Sequence, residues 1–198
     1  MRPVGWPARK LDRVYTYADC KRWPDDERWE LIEGTAWNMS PAPSTRHQAI
    51  VAALTRIIGS WAVGRPCSVF PAPFDVVLPD RPDQPEDEAT TVVQPDISVV
   101  CDRSRIRAWG CYGSPDWIVE ILSPFTTKKD LNEKFALYEK HRVAEYWVVD
   151  PGNRFVHVYR LAGDGPYGDP LVLMGDSAAQ SRVCQDLTIR LAEVFAEP

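Results

Sequence analysis

The chain has no basic excess. Its 23 Lys and Arg stand against 28 Asp and Glu, for a formal net charge of −5. The surface as a whole therefore does not advertise a polyanion-binding protein, and any contact with nucleic acid must come from a local basic face. No apolar stretch approaches the roughly 20 residues that span a bilayer, and the N-terminus carries no signal-peptide hydrophobic segment. A soluble, cytoplasmic protein without a membrane partner is expected. Cysteine is scarce: the five (Cys20, Cys67, Cys101, Cys111 and Cys184) are odd in number, widely spaced and without a CxxC pair. That pattern excludes a zinc ligand set, argues against a disulfide framework and fits a reducing compartment. With three histidines and no serine in a nucleophile-elbow context, Ser-His-Asp hydrolysis has no support. The glycine motifs of phosphate loops and dinucleotide sites are missing as well.

What the sequence does hold is 198 residues, 44% of them hydrophobic, enough for one domain with a real core. Within it, Trp117-Ile118-Val119-Glu120-Ile121-Leu122 sets one carboxylate inside an unbroken apolar run. Such a run reads as a strand covered on both faces, where an ionised carboxylate is costly unless something positive offsets it. Val93-Gln94-Pro95-Asp96-Ile97-Ser98-Val99-Val100 repeats the oddity, with Asp96 opening a second apolar strand behind a proline. Two acids embedded in two buried strands suggest a divalent metal site.

The rest of the pattern supplies a frame. Tyr15-Thr16-Tyr17-Ala18-Asp19 starts a short helix after a polar and aromatic opening. Trp29 to Met39 reads as a hairpin turning at Gly34 and broken off by Ser40-Pro41-Ala42-Pro43. Ser44 is a fitting N-cap for a helix from Thr45 to Ala62, its buried face marked by Ile50, Leu54, Ile57, Ile58 and Trp61. Val69 to Leu78 reads as a strand whose first half is pushed to an edge by Pro71 and Pro73. The segment from Pro79 to Thr90, rich in proline and acids, is expected to be a solvated hairpin loop. A second helix is expected from Lys128 to His141, strands over Glu145–Asp150 and Phe155–Leu161, and a short helix over Leu191–Ala196. This order suits an α/β layer with a mixed central β-sheet flanked by helices.

About 15 residues with little helical pattern join the Asp96 and Glu120 strands, so the two are expected as antiparallel neighbours. The start of one strand then lies beside the end of the next, which brings both carboxylates to one end of the sheet. Two carboxylates so placed can hold Mg2+ or Mn2+, ions that take oxygen ligands and keep several waters. Such an ion polarises a phosphoryl oxygen and lowers the pKa of a bound water. A nearby cation would orient that water or meet the charge developing on phosphorus. In a helix starting near Thr127, Asp130, Lys134 and Tyr138 form one row, and Lys134 stands beside the apolar Leu131, Phe135 and Tyr138.

Pro95-Asp96 followed by Glu120-Ile121-Leu122 resembles the PD-(D/E)xK nuclease signature, with Leu122 at the position of its lysine. More closely, Val119-Glu120-Ile121-Leu122-Ser123-Pro124, then Asp130, Lys134, Tyr138 and Glu145-Tyr146-Trp147-Val148-Val149-Asp150-Pro151, resembles the Uma family of restriction-endonuclease-like proteins. The Glu-Leu-Ile-Glu-Gly hairpin at 30 to 34 and the helical His47 fit that resemblance, which spans roughly residues 29 to 151. It implies a single restriction-endonuclease-like domain over 1–198, with its core at about 29–160, an N-terminal extension, and C-terminal strands and helix appended. It also implies a metal-dependent phosphodiesterase in which Asp96 and Glu120 ligate Mg2+ or Mn2+. Lys134, displaced onto the following helix, stands in for the lysine absent at Leu122, with Lys129 and Lys128 as alternatives.

Plainer readings stand beside these. Glu120 can pair with an arginine inside the sheet, Asp96 can cap the turn after Pro95, and Asp130 with Lys134 can be an ordinary helix-surface ion pair. His47 fits a surface or capping role as well as a phosphate contact. Glu33 fits turn chemistry or an extra metal ligand, and so does Asp75. Arg103, Arg105 and Arg107 form a phosphate-binding loop or a solvated one. Three functions follow: a Mg2+-dependent endonuclease acting on nucleic acid, DNA favoured; a non-catalytic nucleic-acid- or protein-binding module on the same fold; and a hydrolase of small phosphoesters. Eight tryptophans and the Tyr146-Trp147 strand suggest a face covered by a second copy of the chain, a homodimer, although all eight fit the core equally well.

Overall fold

The computed structural model describes residues 9–10, 13–24, 26–39, 42–124, 127 and 129–196. Strand β1 (Arg9–Lys10) and helix α1 (Tyr17–Cys20) lead into the expected hairpin, β2 (Trp29–Ile32) and β3 (Thr35–Asn38). Its two-residue turn is Glu33 and Gly34, at φ +48° and +77°, the left-handed pair whose twist matches that of the strands. Helix α2 (Thr45–Ala62) starts where the cap predicts, with the Ser44 hydroxyl accepting from His47 N at 3.2 Å. Ile50, Leu54 and Ile58 are buried in the core, and Ile57 and Trp61 pack at its margin.

The single strand expected over Val69–Leu78 is in fact two. β4 (Ser68–Pro71) and β5 (Asp75–Val77) belong to different sheets, because a proline cannot donate to a ladder and two of them end the first strand. The segment from 79 to 90 is not a loose loop. It folds around Gln84, whose side chain accepts from Asp80 N at 2.7 Å and donates to Glu88 O at 3.0 Å. Next come β6 (Val92–Val93), β7 (Ile97–Val100), β8 (Ile106–Arg107), β9 (Gly110–Tyr112) and β10 (Trp117–Ile121). The helix expected from 128 opens as a π-helical turn, Lys129–Lys134, and becomes α-helical only over α3 (Phe135–Lys140). Strands β11 (Glu145–Asp150), β12 (Phe155–Arg160), β13 (Leu171–Met174), β14 (Ala178–Gln180) and β15 (Thr188–Arg190) precede helix α4 (Leu191–Val194).

The central sheet runs β13-β12-β11-β10-β7-β4, and a second sheet runs β1-β3-β2-β6-β5-β9-β8. In the central sheet β10 is parallel to β11 and antiparallel to β7, so it is mixed, as expected. Alternation along β10 sorts its side chains between two cores. Trp117, Val119 and Ile121 pack with Ile50, Leu54 and Ile58 of α2. Ile118 joins Val76, Val93 and Tyr138 on the other face, so the second sheet and α3 cover that side. Tyr146 and Trp147 are fully buried; they are core residues, and the inference of a partner surface from that strand is corrected.

Two further corrections concern connections that sequence spacing hides. The β4–β7 register sets Ser68 against Val100, which leaves Cys67 opposite Cys101, and the two form a disulfide. The cysteine pattern therefore does not speak for a reducing compartment. Glu145, at the start of β11, is buried and tied into the C-terminal segment: Oε1 accepts from Trp147 Nε1 at 2.7 Å, and Oε2 from Ser181 Oγ at 2.9 Å and Arg182 N at 2.8 Å. Among the described residues no helix is long and apolar enough to cross a membrane.

Candidate active site

The β7–β10 register pairs Ile97 with Val119. Asp96 directly precedes β7 and accepts from Ile121 N of β10 at 2.7 Å, which sets it beside Glu120. Both line a single cavity of about 680 Å³. The antiparallel pairing expected from the sequence, and the meeting of the two acids it entails, are what the structure has.

The two carboxylates are held alike. Asp96 Oδ2 accepts from Ile121 N at 2.7 Å and faces His47 Nε2 at 3.2 Å. Glu120 Oε1 accepts from Lys134 Nζ and from Tyr138 OH, each at 2.7 Å. Among the described residues, neither Asp96 Oδ1 nor Glu120 Oε2 has a hydrogen-bond partner. Each acid thus spends one oxygen on being fixed in place and keeps the other. Burial outweighs the pull of Lys134 on Glu120 and, with Asp130, Asp96 and Glu30 nearby, pushes that carboxyl up to about 8.

Beneath them lies a buried charge network that sequence reasoning found only in part. Glu30, fully buried in β2, accepts from Lys129 Nζ at 2.5 Å, pairs with Lys134 Nζ at 2.8 Å, and takes a bond from Gln94 N at 2.9 Å. Burial alone would raise the Glu30 carboxyl, but Lys129 and Lys134 overcome it and hold it at about 2. The π-helical turn brings both lysines to one carboxylate, and such turns cluster at functional sites. Asp130, Lys134 and Tyr138 do lie together as expected. However, Asp130 and Lys134, 3.9 Å apart, are buried rather than a helix-surface pair. Lys128 lies outside the described residues.

The auxiliary candidates divide. His47 is buried against Asp96; burial favours its neutral form, yet the Asp96 carboxylate prevails and raises its pKa, while Nδ1 lacks a partner among the described residues. Glu33 is a correction: it is exposed in the turn and bonded to Lys140 at 3.0 Å, away from the cavity. The acid of that hairpin that reaches the site is Glu30, three residues earlier, through its pairs with Lys129 and Lys134. Asp75 is a second correction, for it does not line the cavity; it accepts from Tyr17 OH at 3.2 Å and from Gln94 Nε2 at 2.7 Å. Arg105 and Arg107 are bonded to backbone carbonyls of Ser114 and Ser104, in a loop outside the cavity. The missed signal for Glu30 was the one used for Glu120, an acid within an apolar strand.

The donor set suits a hard divalent ion. Two carboxylate oxygens at a strand end, with room for waters, match what Mg2+ or Mn2+ takes, although among the described residues no three His, Cys, Asp or Glu side chains form a ready-made ligand cluster. Such an ion would polarise a phosphoryl oxygen and acidify an attacking water.

A family model described as "Uma2: Putative restriction endonuclease" matches residues 17–192. Five solved chains match as well. One, a "putative nuclease belonging to DUF820" from Anabaena variabilis ATCC 29413, is 23% identical, covers 91% of this chain and 97% of that one, and superposes with a TM-score of 0.71. At that identity the likeness shows a common fold. No curated protein matches the sequence.

Proposed function

Because the chain belongs to the Uma2 family of restriction-endonuclease-like proteins and shares its fold with a chain titled a "putative nuclease", we propose that it hydrolyses phosphodiester bonds of nucleic acid, DNA foremost, with Mg2+ or Mn2+ held by Asp96 and Glu120. The observation that carries this reading is the matched pair of oxygens, Asp96 Oδ1 and Glu120 Oε2, left without partners among the described residues on one cavity. A purely structural acid such as Glu145 has both oxygens taken. Lys134, rather than Lys129, is the cation for the reacting phosphate, because it alone of the two touches Glu120. Its ammonium would meet the charge that develops on phosphorus, and Tyr138 keeps Glu120 from turning away.

One observation favours a non-catalytic module instead: Lys129 and Lys134 already compensate Glu30 and its acidic neighbours without a metal. Purified protein incubated with DNA and RNA in Mg2+ or Mn2+ decides between the two. Cleavage is expected from the parent and a loss of at least about a hundredfold from Asp96→Ala and Glu120→Ala. Equal cleavage by all three proteins, or none by any, would defeat the proposal.

A further inference from the structure

Resting on that reading, we infer that the site accepts an unpaired nucleic-acid strand in preference to duplex, with Arg28 and Arg46 binding its backbone phosphates. Glu120 is only 3% exposed, and it lines the cavity. In a duplex, stacking and pairing hold each phosphate on the outer ridge. A duplex keeps that ridge stiff and regular, whereas the backbone of an unpaired strand bends freely into a concave site. The cavity, about 680 Å³, falls within the range of about 300–1,000 Å³ that encloses a small molecule. That is room for about one or two nucleotides. Its walls include Met39, Pro43, Pro124 and Pro151, apolar surface on which a base freed from its stack can rest.

The cations agree. Lys129 and Lys134 are committed to buried carboxylates, which leaves Arg28 and Arg46 as the arginines on the cavity lining. Among the described residues neither forms an ion pair. Arg46 makes one long bond, to Phe195 O at 3.4 Å. Arg28 is exposed but braced: its guanidinium donates to Gln94 Oε1 at 2.6 Å, Gln94 Nε2 donates to Asp75 at 2.7 Å, and Asp75 is held by Tyr17 OH at 3.2 Å. This chain of side chains fixes the arginine through one donor and leaves the rest of its planar fork for a phosphate. It also gives Asp75 and Gln94 a role as positioning residues. Two arginines and a net charge of −5 suit a short strand, since a duplex reader needs an extended basic face.

The test is fluorescence anisotropy in EDTA, where no cleavage occurs, with one labelled sequence offered as single strand and as hairpin duplex, in DNA and RNA form. The single strand of one or both chemistries should bind the parent at least about tenfold more tightly than its duplex. Arg28→Ala should weaken single-strand binding about tenfold and shallow the salt dependence by about one counterion, with Arg28→Lys recovering part. Duplex binding as tight as single-strand binding, or an Arg28→Ala protein that binds like the parent, overturns the inference. The two proposals fail separately: a parent protein that prefers the single strand but shows no metal-dependent cleavage upholds this inference and sinks the catalytic one, whereas parent cleavage that Asp96→Ala abolishes, together with equal binding of duplex and single strand, does the reverse.

Discussion

Lys134 Nζ stands 2.7 Å from Glu120 Oε1 and 2.8 Å from Glu30 Oε1, so one ammonium joins carboxylates from two β-sheets. Burial by itself would strip the charge from such a lysine; the carboxylates reverse that and hold it protonated, well above the usual lysine range. Lys134→Met leaves Glu120 without its cation and Glu30 with Lys129 alone, and is expected to cost about 3–5 kcal/mol in urea unfolding. Adding Glu120→Gln, which removes the acid left without a cation, should recover a substantial part. A single variant as stable as the parent would show that the pair does not form in solution.

Glu120 and Glu30 move in opposite directions, and the signs set the pH profile of the metal-free protein. Glu120, pushed up to about 8 from an ordinary 4.5, carries an extra proton in the folded state between those values. Its share of stability therefore falls as pH rises through that window. Glu30, held at about 2, contributes fully above 4.5, and that contribution is lost as pH falls toward 2. A divalent ion must displace the Glu120 proton. Mn2+ affinity measured by calorimetry should then climb about tenfold per pH unit below about pH 8, level off above it, and release close to one proton per ion. A flat profile would contradict a protonated Glu120.

Much of this site was legible because its signals are local. The Ser44 cap, the Gly34 turn, the strand periods and the acids lodged in apolar runs each depend on a few neighbouring residues. What stayed hidden depends on distant segments. Glu30, Glu120 and Glu145 share one sequence signature, yet Glu145 is structural because residues 181 and 182 arrive to fill its oxygens, and no window around β11 announces that. The π-helical turn escaped a search at α-helical spacing, so Lys129 stood as a mere alternative to Lys134 when both serve Glu30.

The disulfide between Cys67 and Cys101 follows the same logic, being fixed by the register of β4 on β7. Denatured but unreduced protein should titrate for three thiols, those of Cys20, Cys111 and Cys184, and for five after reduction. The bond closes a separation of 34 residues, for which loop entropy gives a stabilisation of about 3–4 kcal/mol. Thermal melts with and without reductant should differ accordingly, and coincident melts would mean the link is absent or of no consequence.

Ser44 and His47 allow the fold and the site to be separated on one helix turn. The Ser44 hydroxyl caps α2 through His47 N at 3.2 Å, while the imidazole of that same His47 meets Asp96 at 3.2 Å. Ser44→Ala removes a cap and is expected to lower stability by about 1 kcal/mol, with metal affinity close to that of the parent. His47→Ala removes the group that orients a ligating carboxylate, a loss that typically costs about 10–100-fold in metal affinity. Mn2+ titrations of the two variants beside their unfolding curves read both quantities. If His47→Ala binds Mn2+ as the parent does, Asp96 is positioned by Ile121 N alone, and the histidine belongs to the packing of α2 rather than to the chemistry.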